Sequence, residues 1–227
     1  MYDRTEMLVG SEKLNRLKNS AVIVFGLGGV GGYAVEAFAR AGVGRIGIVD
    51  FDIVDVTNIN RQIIALRSTV GKYKTDVFRD RIADINGEII VDSYKEKLTG
   101  GNIGIFPLSE YDYIVDAVDD VPGKIALIEK AKTIGTPIIS SMGTGNKLDP
   151  SKFKVCDISR THTCPLAKKI RRELSERGIE DVKVLFSDEP PGKFESGAGG
   201  PASIAFVPAV AGLLIAGEVT RSLLLMD

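Results

Sequence analysis

Tryptophan is absent from the 227 residues, histidine occurs once, as His162, and cysteine twice, as Cys156 and Cys164. The two cysteines make no Cys-x-x-Cys pair, so a tetrahedral zinc site built from cysteine pairs is excluded by count. So low a cysteine content fits a reducing compartment, and the expected location is cytoplasmic. Neither sign of charge dominates: 29 basic and 30 acidic residues leave a formal net charge of -1. Net charge thus points to no polyanionic partner, although a local patch can still meet a nucleic acid. The opening MYDRTEMLVGSEKL has no apolar core behind a basic start, so no secretory signal is expected there. The longest apolar stretch, ASIAFVPAVAGLLIAG at 202–217, falls short of the ~20 residues a spanning helix needs, and Pro208 interrupts it. A buried segment with no stable membrane insertion is expected.

What is present is an ordinary globular composition, 44% hydrophobic and 26% charged. A chain of this length can bury roughly 70% of its unfolded surface, enough for a core without metals or disulfides. The all-apolar run AVIVF at 21–25 reads as a strand buried on both faces of a parallel sheet, and RIGIV at 45–49 reads as the next strand. Helical composition follows at 30–41 and 71–85. Further strands are expected at 89–94, 111–115 and 137–141, with a helix at 123–134. An amphipathic helix at 5–19, broken at Gly10, precedes them. After Gly145 the rhythm changes: strand 153–158, a basic helix 165–177, strand 182–187, a Gly/Pro/Ser-rich loop 188–203 and an apolar helix 207–225. Alternating strands and helices argue for an α/β, Rossmann-like, doubly wound, mostly parallel sheet. The later elements form an α+β C-terminal extension of the same domain.

Three motifs carry chemistry. The first is Gly26-Leu27-Gly28-Gly29-Val30-Gly31 between a strand and a helix, where glycines admit phosphate close to the backbone and the helix start offers free N–H groups. Asp50, at the end of the next strand, is placed for ribose hydroxyls. NAD satisfies this much as well as ATP does. The second motif is Asp50-Phe51-Asp52, then Asn58-Ile59-Asn60-Arg61-Gln62, then Lys74. Arg61 offers a planar fork and Lys74 a point charge, which suits a triphosphate better than a dinucleotide. Taken alone, both could be solvated surface cations. The third is Asp116-Ala117-Val118-Asp119-Asp120 after a buried strand. An acid there can hold Mg²⁺ against phosphates, and Asp119 is the candidate metal ligand. Asp116 or Asp120 can instead cap the helix near Gly123.

The set GLGGVG, VDFD, NINRQ, VGKYK and VDAVDD, across residues 1–145, resembles the ThiF/HesA family of adenylating enzymes related to ubiquitin activation. The resemblance implies one ATP-binding domain over 1–227, with a nucleotide core at 1–145 and a substrate-side extension at 146–227. It implies that Gly26, Gly28, Gly29, Gly31, Asp50, Asp52, Asn58 and Gln62 surround ATP, and that Arg61 and Lys74 clamp its phosphates. Asp119 would hold Mg²⁺. Arg4 matches an arginine that, in the family, reaches a partner's ATP, which implies a homodimer with shared sites.

The stretch Ser141 to Pro150, the segment DISRT leading to CPLAK, and the ending FVPAVAGLLIAGEVTR resemble the tRNA threonylcarbamoyladenosine dehydratase branch. That branch implies adenylation of the threonylcarbamoyl carboxylate at position 37 of a tRNA, then ring closure with release of AMP and pyrophosphate. A carrier-protein adenylyltransferase with sulfur transfer, a nicotinamide-dependent dehydrogenase and a non-catalytic nucleotide sensor are the competing readings. Lys168, Lys169, Arg171, Arg172 and Arg177 form a basic helix able to meet tRNA phosphates, or else a solvated face paired with Glu173 and Glu176. Lys147 is expected near the site mouth, and Phe194 could stack on a base. Cys164, at a predicted helix start, has a plausible address for a thiolate but also for simple packing. His162 reads as a surface residue and Cys156 as a packed strand residue.

Overall fold

The computed structural model describes residues 1–192 and 201–225. Seven strands form one sheet in the order β3-β2-β1-β4-β5-β7-β6. They are β1 (Ala21–Phe25), β2 (Arg45–Val49), β3 (Ile90–Tyr94), β4 (Tyr113–Asp116), β5 (Ile138–Ser141), β6 (Phe153–Asp157) and β7 (Lys183–Ser187). All neighbours run parallel except β6 on β7, which is antiparallel and closes one edge. Strand order reverses between β1 and β4, so the crossovers on either side leave by opposite faces and a crevice opens at the carboxyl ends.

The helices are α1 (Asp3–Val9), α2 (Ser11–Lys18), α3 (Gly31–Ala41), α4 (Lys74–Ile85), α5 (Val121–Ile134), α6 (Pro165–Glu176) and α7 (Phe206–Leu225). Strand β1 shows why the apolar runs are continuous. Val22 and Val24 enter the core shared with α3, α4 and α7, whereas Ala21, Ile23 and Phe25 enter the core shared with α5 and α6. Side chains alternate across a strand, so a strand covered on both faces must be apolar throughout.

The expected strands and helices are all present, with starts that shift by up to three residues, two of them for a visible reason. Helix α4 begins at Lys74, not Gly71, because Gly71 sits at φ +85° and Tyr73 makes a β-bridge with Ile53. Helix α5 begins at Val121, ahead of Gly123, because Asp120 caps it and accepts from Gly123 N–H at 2.8 Å. Helix α7, at 20 residues, is longer than the apolar run suggests and has the length and composition to cross a membrane. It lies on α3 instead, with Val207, Ala211, Ile215 and Val219 buried. Leu213 and Leu214 remain exposed on its outer side.

Candidate active site

A cleft of about 850 Å³ opens at the carboxyl ends of β1, β2 and β4, where the strand order reverses. The chain leaves β1 through Gly26 at φ +85°, a conformation that favours glycine. A Cβ on Gly26 would lie 2.6 Å from the Ala117 carbonyl oxygen, so the turn presses against the segment after β4. Gly31 is bare for packing: its Cβ would fall 1.8 Å from the Gly26 carbonyl oxygen. A Cβ on Gly28 would meet nothing nearer than Gln62 Nε2, at 3.8 Å. Packing within the protein therefore does not demand glycine at position 28, whereas a phosphate drawn against the backbone does. The N–H groups of Gly28 and Gly29 have no backbone acceptor among the described residues.

Asp50 stands at the end of β2, nearly buried. Its Oδ2 accepts from Leu27 N–H at 2.7 Å and its Oδ1 from Asp52 N–H at 2.8 Å. The carboxylate thus ties the glycine turn to the β2 end. Burial holds its pKa above the ordinary aspartate value, against the opposing pull of the Lys74 charge and the two N–H donors. Lys74, first residue of α4, is 4% exposed. It donates to Asp52 Oδ2 at 2.8 Å and lies 3.8 Å from Asp50 Oδ2. The buried ammonium is thus paired within the protein, and an anion entering the cleft has to share it with Asp52, whose side chain is 47% exposed.

The segment between Ile53 and Gly71 forms the facing wall. Asp55 and Asn58 make a reciprocal capping box around a short 3₁₀ turn. Arg61 donates through Nη1 to the Thr57 carbonyl and to Asn60 Oδ1, each at 2.9 Å, which holds one end of its guanidinium beside the cleft. Gln62 is buried, and its Oε1 has no partner among the described residues.

Across the cleft, Asp116, Asp119 and Asp120 divide their work. Asp116 is fully buried and bonded to Lys124 and Ser140, and Asp120 caps α5. Asp119 is exposed, lines the cleft, and makes no hydrogen bond or ion pair among the described residues. No group of three or more His, Cys, Asp or Glu side chains able to hold a metal occurs among the described residues. A single carboxylate fits Mg²⁺ carried largely by phosphates and does not fit a metal caged by protein alone.

Of the expected site residues, Gly26, Gly28, Gly29, Asp50, Asp52, Asn58, Arg61, Gln62, Lys74 and Asp119 all line the one cleft. Gly31 lies behind the turn and does not line it. Arg4 sits exposed on α1, which packs on α2, and it too does not line the cleft of its own chain. Lys147 is buried behind Thr144 and Gly145, two residues that do line the mouth. Burial pushes its pKa down, with the Cys164 sulfur and Glu189 acting the other way, and its Nζ donates to the Glu189 carbonyl. Cys164 is buried at the start of α6, and Cys156 is half-buried in β6. His162 faces Asp188 at 3.2 Å and packs edge-on against Phe186, away from the cleft.

The basic helix is less free than its composition suggests. Arg171 donates to the Thr161 carbonyl and hydroxyl at 2.7 and 2.6 Å, and Arg172 and Arg177 pair with Glu173 or Glu176. Only Lys168 and Lys169 of the five are exposed without a partner among the described residues. Phe194 lies outside the described residues. Lys124 and Ser140 were not legible as site residues, since nothing in their local sequence marks a buried ion pair.

The likeness to known proteins runs along nearly the whole chain. A tRNA threonylcarbamoyladenosine dehydratase of Bacillus subtilis is 46% identical over 98% of this chain and 94% of its own length. One of Escherichia coli is 39% identical over 83% of this chain and 73% of its own length. The crystal structure of E. coli TcdA, tRNA N6-threonylcarbamoyladenosine dehydratase, in complex with AMP superposes with a TM-score of 0.92 at 34% identity, covering 97% of this chain and 92% of that one. Its complex with ATP superposes at 0.91 and 33% identity, covering 98% and 93%. The model of the ThiF family matches residues 2–226, and this chain belongs to the ThiF family.

Proposed function

We propose that the chain is an ATP-dependent tRNA threonylcarbamoyladenosine dehydratase, which closes a ring in N6-threonylcarbamoyladenosine at position 37 of tRNA. The observation that carries this is the convergence of the bare Gly28 turn, Asp50, Arg61, Lys74 and Asp119 on one cleft, in a chain that a Bacillus subtilis dehydratase matches over 98% of its residues. The threonyl carboxylate attacks the α-phosphorus of ATP, the bond to the β-phosphate oxygen breaks, and pyrophosphate leaves. The carbamoyl group then attacks the activated carbonyl carbon, AMP leaves, and a proton passes to solvent. The product is shorter by one water.

In this reading Asp50 receives the ribose hydroxyls, the Gly28 and Gly29 N–H groups meet the phosphates, and Lys74 and Arg61 bind the outer phosphates as charge moves onto pyrophosphate. Gln62 and Asn58 complete the phosphate wall, with Asp52 holding Lys74 in place. Asp119 would hold Mg²⁺, which neutralises phosphate charge when bound. Orientation and charge neutralisation suffice for such a transfer, and no covalent protein intermediate is required. Lys168 and Lys169 supply cations for tRNA. A homodimer would let Arg4 of one copy reach the cleft of the other, and the reaction belongs in the cytoplasm with its tRNA.

Pyrophosphate exchange into ATP tests this reading. Stimulation by tRNA carrying threonylcarbamoyladenosine, and not by a carrier protein ending in Gly-Gly, is expected. Stimulation by the carrier alone would transfer the assignment to a sulfur-carrier adenylyltransferase.

A further inference from the structure

Beneath the cleft lies a polar cluster that the reaction does not touch. Asp116 at the end of β4, Lys124 in α5 and Ser140 in β5 are each 0% exposed. Lys124 Nζ donates to Asp116 Oδ2 at 3.0 Å and to Ser140 Oγ at 3.2 Å, and Ser140 Oγ donates to the same Asp116 oxygen at 2.5 Å. Asp116 Oδ1 accepts from Val118 N–H at 3.2 Å. A wholly buried ion pair is a poor source of stability, because desolvation offsets its attraction and an apolar replacement of similar shape is often as stable. Stability alone therefore does not explain it.

What the cluster does hold is the course of the backbone. Through Val118 N–H, Asp116 sets the turn that carries Asp119. Downstream, the Asp120 cap on Gly123 N–H fixes the same turn at the start of α5. From the other side, the Gly26 turn presses on the Ala117 carbonyl. Asp119 is the residue suspended between these anchors. Lys124 also neutralises Asp116, which leaves Asp119 as the one carboxylate of the turn free to act on the cleft.

We infer that Lys124, through Asp116 and Ser140, is a positioning residue that holds the Asp119 carboxylate where it can share Mg²⁺ with the phosphates of ATP. The inference rests on the reading of Asp119 given above. It makes Lys124 matter for the coupling between metal and nucleotide, not for nucleotide binding as such.

The test is calorimetric titration of ATP with and without Mg²⁺ into the full-length protein, with thermal melting alongside. Wild type is expected to bind ATP about tenfold or more tightly with Mg²⁺ present, a gain of about 1.4 kcal/mol or more. Lys124→Met is expected to keep Mg²⁺-free ATP affinity within about twofold and to lose most of the Mg²⁺ gain. Because that variant strands a buried carboxylate, the combined Asp116→Leu/Lys124→Met/Ser140→Ala replacement is measured with it. That replacement removes every buried side-chain polar atom of the cluster, leaving only the Val118 N–H without its acceptor, and is expected to fold while still lacking the gain. Where only the combined variant folds, it is the one read. A folded variant with the full Mg²⁺ gain would overturn the inference while leaving the site intact. A wild type with no Mg²⁺ gain would overturn the Asp119 reading itself, and the inference with it.

Discussion

Replacing Lys74 with Met puts the phosphate reading to a quantitative test. Lys74 is buried, and its ammonium is shared between Asp52 at 2.8 Å and Asp50 at 3.8 Å. Hydrogen bonds to charged groups contribute about 1.5–3 kcal/mol each. Losing one such bond to an outer phosphate should weaken ATP binding roughly 10- to 150-fold. AMP lacks those phosphates, so its affinity should change by less than about twofold. The fold should survive. The Asp52 side chain is 47% exposed, so its pair with Lys74 contributes at most about 1 kcal/mol. Asp50 keeps its two N–H donors, which compensate much of its buried charge. The loss of stability should therefore stay below the ~3 kcal/mol typical of breaking a fully buried pair. Calorimetric titration of the variant with ATP and AMP reads both affinities, and melting reads the fold. Equal losses for the two nucleotides would refute the reasoning, because Lys74 would then act through Asp50 or the fold. So would an ATP affinity unchanged from wild type.

Three further outcomes follow from the geometry. Gly31→Ala should prevent proper folding, because its Cβ would lie 1.8 Å from the Gly26 carbonyl oxygen, whereas Gly28→Ala should melt near wild type and lose ATP binding; circular dichroism with calorimetry separates the two, and a folded, ATP-binding Gly31→Ala would contradict it. Mixed dimers of Arg4→Ala and Asp119→Ala chains should recover part of the activity that neither variant shows alone, as measured by AMP release, and no recovery would argue against a site shared between copies. Glu36 is buried, which pushes its pKa up, but the bonds from Arg81 and Arg40 more than reverse this and hold it below the ordinary 4.5. A depressed carboxylate contributes stability above its unfolded pKa and loses it as pH falls through the folded one. Glu36→Gln should therefore lower the melting temperature at pH 7, with the difference from wild type closing well below pH 4.5, and a difference that stayed constant down to acid unfolding would contradict the assignment.

How much of this was legible in the sequence depended on whether the signal was local. AVIVF announces a buried parallel strand because both of its faces are covered, so every position must be apolar, and RIGIV does so after Arg45, which stands at the partly exposed start of β2. The glycine turn and Asp50 are legible because phosphate and ribose require those residues at the end of adjacent strands. The motif did not separate Gly28, which leaves room for a ligand, from Gly31, which serves packing. That difference lies in where the Gly26 carbonyl points. Arg171 reads as a free cation until the fold brings the Thr161 carbonyl to it. The Asp116–Lys124–Ser140 cluster joins a strand, a helix and a second strand, and no short pattern encodes such a meeting. Of the acids at 116, 119 and 120, the sequence singles out Asp119 for the cleft but leaves Asp116 and Asp120 as alternative helix caps, and only the fold makes Asp116 a buried anchor and Asp120 the cap.

The central claim is that ATP energy closes a ring in a tRNA nucleoside. Purified protein incubated with ATP, Mg²⁺ and tRNA bearing threonylcarbamoyladenosine, followed by mass spectrometry of the released nucleosides, measures this directly. The account predicts a nucleoside lighter by one water, formed in step with AMP and absent when ATP is withheld. An unchanged nucleoside from a preparation that binds ATP would contradict it.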